Sequence, residues 1–267
     1  MREPVLILSD LHLGHAASRI NSAEQLRPLL EGAATVVFNG DTFQELASDF
    51  RPRSEALMAE LRGLCDELGV EPVFLPGNHD PGWEGKGWAE LAGGKIIATH
   101  GDSVMRGGSP WSRESIARSE GVCELWSENP RAEYDPGERL KMAKKMAMLL
   151  RPPKMPKGRT IFRRAMDAIN PPRRAFEILR VWWQQPEAVA DFARHYFPKA
   201  EVMVVGHFHS RGVWCRSGRL VVNTGAFVYP HHSLWVSYED GLLKVGKATE
   251  KEGSFVRLDP LGVWRFD

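Results

Sequence analysis

The sequence predicts an α/β fold built on parallel strands and interrupted by a helical insertion. Three observations point there. Short runs rich in branched apolar residues, such as Val5 to Ser9 and Thr35 to Phe38, suit strands buried on both faces. Over the first hundred residues these runs alternate with helical patterns across short loops. From about Val104 to Lys199 the strand signals vanish, and they return at Val202. The chain has 267 residues, 43% hydrophobic and 26% charged, which suits a globular domain with a sizeable core.

The elements follow in order. Ser22 to Leu30 reads as a helix between the first two strands. Ser54 to Leu68 is amphipathic: Ser54 is the expected cap, Leu57, Leu61, Leu64 and Leu68 form a stripe, and Gly69 ends it. Pro72 to Leu75 and Lys95 to Thr99 are further strands. The insertion then offers helices at Glu138 to Leu150, Thr160 to Ile169, Arg173 to Gln184 and Pro186 to Phe197, divided by prolines. Val202 to Val205 resumes the sheet. Arg219 to Val222, Ser233 to Tyr238, Leu242 to Lys247, Ser254 to Leu258 and Gly262 to Phe266 read as a β meander. The organisation expected is a core of 1–103 and 200–267 with an insertion at 104–199. No apolar run reaches the roughly 18 residues of a membrane-spanning helix. Val5 to Leu8 is too short for a signal peptide, and three scattered cysteines suit a reducing compartment, so a cytoplasmic location is expected.

Five polar segments each follow a predicted strand: Asp10-Leu11-His12, Gly40-Asp41, Gly77-Asn78-His79-Asp80, His100-Gly101-Asp102 and Gly206-His207-Phe208-His209. Ligands of open α/β sheets bind beyond the carboxyl ends of strands, so five strand ends can converge on one site. Carboxylates with imidazoles suit Mn, Fe, Zn or Co, and this set matches a two-metal site. Asp-x-His and His-x-His place alternate residues on one side of an extended chain. Any one of these segments alone also reads as a turn or a cap; five of the nine histidines falling within them is harder to explain that way.

With these motifs in this order, the chain resembles the calcineurin-like metallophosphoesterases over residues 4–103 and 200–230. The resemblance implies a four-layer α/β/β/α sandwich and two divalent metal ions, manganese first among Mn, Fe, Zn, Co and Mg. It implies Asp10, His12, Asp41 and His209 on one metal, and Asp41, Asn78, His100 and His207 on the other. Asp41 would bridge, and His79 would act on the phosphate as the catalytic residue without binding metal. The activity implied is phosphohydrolysis of a phosphodiester or diphosphate by a bridging hydroxide. Asp80 would either orient His79 or cap its turn, Asp102 would support its loop, His15 suits a surface role, and His231 and His232 lie in a loop that could border the cleft.

The net charge of +1 hides an asymmetry. Arg139 to Arg180 holds 13 basic residues against Asp167 and Glu177, or +11, so the rest of the chain carries −10. Basic residues with Phe162, Phe176, Trp182 and Trp183 suit an anionic membrane surface reached through residues 139–183, or a nucleic-acid backbone. A solvated lid packed on the core is the plain alternative. The insertion after His100-Gly101-Asp102 and the opening Ser9-Asp10-Leu11-His12-Leu13 resemble the UDP-2,3-diacylglucosamine pyrophosphohydrolases. That branch implies a lipid-linked diphosphate substrate and a peripheral position at the inner face of the membrane, though it commonly has Arg where this chain has His79. Nucleotide or nucleic-acid phosphodiesterases and a non-catalytic metal-binding scaffold are the other readings. The sequence does not indicate an oligomeric state.

Overall fold

The computed structural model describes residues 1–109, 112–151 and 172–266. Its strands form two sheets. In the first, β1 (Val5–Leu8), β2 (Thr35–Asn39) and β3 (Glu71–Leu75) run parallel, and β9 (Ser233–Glu239), β10 (Leu242–Lys251) and β11 (Ser254–Arg265) extend it antiparallel, in the order β11-β10-β9-β1-β2-β3. The second holds β4 (Trp88–Leu91), β5 (Ile96–Thr99), β6 (Val202–Val205), β8 (Arg219–Asn223) and β7 (Gly212–Arg216), in that order. Here β5, β6 and β8 are parallel and the two edges antiparallel.

The period of two along each strand builds the layers. Val5 and Ile7 face inward and pack with Val37, Ala98, Val204 and Val222 between the sheets. Leu6, Leu8, Val36 and Phe38 face outward onto α2 (Arg51–Leu68), where they meet Leu57, Leu61 and Leu64. On the far side, Met203, Val205 and Val221 pack against Val181, Val189, Phe192 and Ala193 of a long helix. The result is the expected four-layer α/β/β/α sandwich.

Between β5 and β6 the described residues form α3 (Arg113–Ala117), α4 (Ser119–Glu128), α5 (Pro136–Leu149) and α6 (Pro172–Tyr196), with α1 (Arg27–Leu30) earlier in the chain. Val122, Trp126, Ala132, Met142 and Met146 give the α4–α5 region a small core of its own. Arg139 is buried there, its Nε donating to Ser103 O at 2.8 Å and its guanidinium lying 4.3 Å over the Trp126 ring. It is therefore a packing residue, not part of a basic face. The second half of α6 is the outer layer of the sandwich, while Phe176, Leu179 and Trp183 in its first half are exposed. No described helix is long and apolar enough to cross a membrane.

Several expectations need correction. Ser54 is not a cap: α2 starts at Arg51, and the Ser54 hydroxyl donates to Leu13 O instead. Gly69 does end α2, at φ +66°. The two helices expected at Arg173 to Gln184 and Pro186 to Phe197 are one, Pro172–Tyr196, with Pro186 inside it. Proline removes the N–H that would reach Trp182 O, and the Gln185 side chain donates to that carbonyl at 3.5 Å. The meander comprises only β9, β10 and β11, since β8 belongs to the other sheet, and the last two predicted strands are one. The edge strands β4 and β7 and helices α3 and α4 escaped sequence reading. The helix expected at Thr160 to Ile169 lies outside the described residues.

Candidate metal centre

The carboxyl ends of β1, β2, β3, β5 and β6 meet at one place, and the five polar segments lie there. Asp10, His12, Asp41 and Asn78 come from the first sheet, and His100, His207 and His209 from the second. Asp10, His12, Asp41, His207 and His209 all have positive φ, between 47° and 60°. Left-handed backbone at these positions breaks the extended path of the strands that precede them. Gly40, at φ +81°, lets the β2 loop pass the His100 ring, which a Cβ would approach to 2.5 Å.

Asp41 sits at the middle. Its Oδ2 lies 3.4 Å from His100 Nε2, 3.7 Å from His12 Nε2 and 3.9 Å from His79 Nε2. Asp10 Oδ1 lies 3.2 Å from His209 Nε2 and 3.8 Å from His12 Nε2. Three sets of donors come within 4.8 Å of one another: Asp10, His12 and His209; His12, Asp41 and His79; Asp10, Asp41 and His100. Asn78 joins through its Oδ1, 3.3 Å from His100 Nε2. His207 is buried beside them, with ring centroids 5.1 Å apart from His100, and its backbone N–H donates to Asp10.

The electrostatics match the crowding. Burial works against the Asp41 charge, but His100 and His79 outweigh it and hold the carboxyl well below its usual range. Burial likewise opposes the His100 charge, and Asp41 keeps its imidazole well above the ordinary value. Burial, then the neighbouring imidazoles, hold His12 and His207 well below. Both therefore favour the neutral ring that a metal requires.

The donor set fits divalent cations. Two buried carboxylates face imidazole nitrogens, and among the described residues their ion-pair partners are all histidines. His100 Nδ1 lies 3.1 Å from Asn39 O, which holds a proton there, so a cation would take Nε2, the nitrogen 3.4 Å from Asp41 Oδ2, in place of its proton. His12 Nε2 and His209 Nε2 converge to 3.2 Å, as nitrogens sharing one cation do.

Residues 3–211 match the family model described as calcineurin-like phosphoesterase. The chain belongs to that family. Calcineurin-like phosphoesterases are hydrolases of phosphoester bonds, and the Asp and His clusters of this one suit divalent metal ions as its cofactors. Similar solved structures include a dimetal phosphatase from Danio rerio, at 14% identity and TM-score 0.46 over 99% of this chain and 100% of that one. Vps29 from Chaetomium thermophilum is 10% identical with TM-score 0.47, covering 98% of each chain. Vps29 from Entamoeba histolytica, in complex with zinc, is 15% identical with TM-score 0.41, covering 98% and 99%. No curated protein matches the chain.

Around the centre, this phosphoesterase assigns the other polar residues. Asp80 does not touch His79. Its carboxylate accepts from the backbone N–H of Asp41, Thr42, Phe43 and Gly77 and from Trp83 Nε1, tying the loops after β2 and β3 together. Burial and the Asp41 charge push its pKa up against those donors. His15 borders a groove of about 760 Å³ that runs from Asn78 and His79 between the core loops and α5, over Leu46, Phe50, Met146 and Leu150. A second cleft of about 220 Å³ opens the other way, walled by Trp182, His207, His209 and His231. His231 is pushed down to about 4 by burial and by His209. His232 is exposed and lines neither cleft.

Sequence reading gave three residues no role at this centre. Ser9 donates to Asp10 Oδ2 at 2.5 Å, Trp182 Nε1 donates to Phe208 O at 2.9 Å, and Gln44 lies between His12 and His79. A serine next to Asp10 was visible; the other two are brought in by the fold alone.

Proposed function

We propose that the chain hydrolyses a phosphodiester or diphosphate, with Asp10, His12, Asp41 and His209 holding one divalent cation and Asp41, Asn78, His100 and His207 the other. The observation that carries this reading is the pair of clefts that share Asn78, His79 and Ser109. A phosphorus seated at that junction has room for a substituent on each side, as a diester or diphosphate needs and a monoester does not. When bound, the two cations lower the pKa of a water and neutralise charge on the phosphoryl oxygens, and manganese is the ion we favour for this O/N donor set.

The protein groups do the rest. His79 is half-buried at the junction, with its backbone N–H fixed on Asp41 Oδ1 at 2.8 Å. From there its imidazole stabilises the charge that grows on the leaving oxygen, as a hydrogen-bond donor at Nε2. Asn78 and Asp41 lie beside it, 3.3 Å and 3.4 Å from His100 Nε2, where they would hold the cations that meet the phosphoryl oxygens. Asp80 keeps the loops of Asp41 and His79 in mutual register.

A lipid-linked substrate at an anionic membrane surface is the version we favour. Apolar side chains line the larger groove, Phe176, Leu179 and Trp183 stand in solvent on α6, and the segment around them is strongly basic. That location would be cytoplasmic and peripheral. Hydrolysis of an aryl phosphodiester with added Mn²⁺ tests the core of the proposal. Asp41→Asn should lose bound metal and at least about a hundredfold in turnover. His79→Ala should keep its metal and lose about 10²- to 10⁴-fold in kcat. Metal loss in His79→Ala, or full activity in Asp41→Asn, would overturn these roles. Cleavage of DNA or free nucleotides in preference to lipid-linked diphosphates would replace the substrate class.

A further inference from the structure

The carboxamide of Gln44 touches two imidazoles that the proposed reaction uses in opposite ways. Its Nε2 is 2.9 Å from His12 Nδ1, and its Oε1 is 3.0 Å from His79 Nδ1. The side chain is buried. Its backbone N–H donates to Ser54 Oγ at 2.8 Å, and that hydroxyl donates to Leu13 O at 2.6 Å, so α2 anchors the residue in place.

An amide oxygen only accepts and an amide nitrogen only donates. One amide between two Nδ1 atoms therefore imposes opposite tautomers on the two neutral rings. The ring at the oxygen carries its proton on Nδ1, and the ring at the nitrogen carries it on Nε2. In the arrangement seen, His12 accepts at Nδ1 and its proton is on Nε2, 3.2 Å from His209 Nε2. A cation on His12 Nε2 requires the reverse, with the proton on Nδ1 and an acceptor beside it. A half-turn of the amide supplies that acceptor without moving either ring. The same half-turn sets the amide NH₂ against His79 Nδ1, so the His79 proton must sit on Nε2. That nitrogen is the one 3.9 Å from Asp41 Oδ2, on the side where phosphate would lie.

We propose that Gln44 is a positioning residue that couples cation binding at His12 to the tautomer of His79. With the cation in place, the amide oxygen faces His12 and the amide nitrogen holds neutral His79 as its Nε2–H form, a hydrogen-bond donor to the leaving oxygen as its charge grows. A carboxylate at this position would accept from both rings and leave neutral His79 protonated on the wrong nitrogen. The inference rests on the reading of His12 as a metal ligand.

The test is ¹⁵N NMR of histidine-labelled protein before and after loading with zinc, which is diamagnetic, with zinc content measured on the same samples. On loading, His79 Nδ1 should change from a protonated, pyrrole-type nitrogen to an unprotonated, pyridine-type one. In zinc-loaded Gln44→Glu it should stay pyrrole-type, and kcat on the soluble diester should fall more than KM changes. If zinc engages His12 while His79 Nδ1 stays pyrrole-type in the wild type, the coupling is wrong and the metal reading survives. If His79 Nδ1 is already pyridine-type before loading, or is the same in the loaded wild type and Gln44→Glu, the coupling is equally wrong. If no zinc binds, both fail together. The wild-type comparison decides the matter even if Gln44→Glu does not fold.

Discussion

Nine non-glycine residues of the described chain have positive φ, and five of them are candidate ligands: Asp10, His12, Asp41, His207 and His209. Left-handed backbone costs on the order of 1–3 kcal/mol per residue and persists only where the surroundings enforce it. Asp80 is one of the enforcers, because five N–H groups from two loops end on its two oxygens. Asp80→Asn replaces one acceptor with a donor facing those N–H groups. It should therefore lower the unfolding free energy by about 1–3 kcal/mol, read from denaturant midpoints of metal-free protein. An unchanged midpoint would show that the loops hold without it. At this scale the candidate ligands were legible, because Asp and His directly after a buried strand are unusual and there are five such places. Gln44 was not legible: a glutamine three residues past Asp41 has no signature until the fold sets His79 beside it.

The elements that place the site were legible where their faces were uniform. β1, β2, β5 and β6 are buried throughout, and continuous apolar runs announced them. β4 and β7 are short antiparallel edges of mixed polarity and carried no such run. α6 was divided at Pro186 by a sound local rule that the Gln185 side chain and the packing on β6 and β8 override. Which sheet β8 joins is a long-range fact that no local pattern encodes. The stripe of α2, by contrast, was legible, and it has a chemical consequence. Cys65 lies on its buried face, where burial and Asp66 push the thiol up to about 11, so at pH 8 almost none of it is thiolate. Cys123 and Cys215 are exposed. Iodoacetamide at pH 8 should add two labels to the folded protein and a third only after denaturation, by intact mass. Rapid addition of three to native protein would contradict this packing.

Across the whole molecule, the near-neutral charge is a balance of unlike parts. The basic stretch of Arg139 to Arg180 is set in the sequence of a chain whose buried acids face the candidate cations. Within that stretch, Arg139 is used for packing and Lys144 for a bond to Trp83 O, so the basic count overstates the free positive surface. The exposed apolar triplet of α6 is then the sharper feature. Changing Phe176, Leu179 and Trp183 together to serine should weaken flotation with anionic vesicles at least about tenfold, while turnover of a soluble aryl diester persists. Equal flotation of the variant and the wild type would rule out this helix as the contact.

The donors of the candidate metal centre are divided between the two sheets, whose shared face is otherwise largely apolar, with Asn39 Nδ2 of β2 donating across it to Thr99 O and Val204 O. A cation held by Asp41 and His100 is thus a rivet driven through both plates of the sandwich. Its removal should loosen the whole body and not just a pocket. Chelation should lower the melting temperature, and titrating metal back should raise it continuously, by the equivalent of about 2.7 kcal/mol at a hundred times Kd. A melting temperature indifferent to chelator would mean that the plates are joined without it.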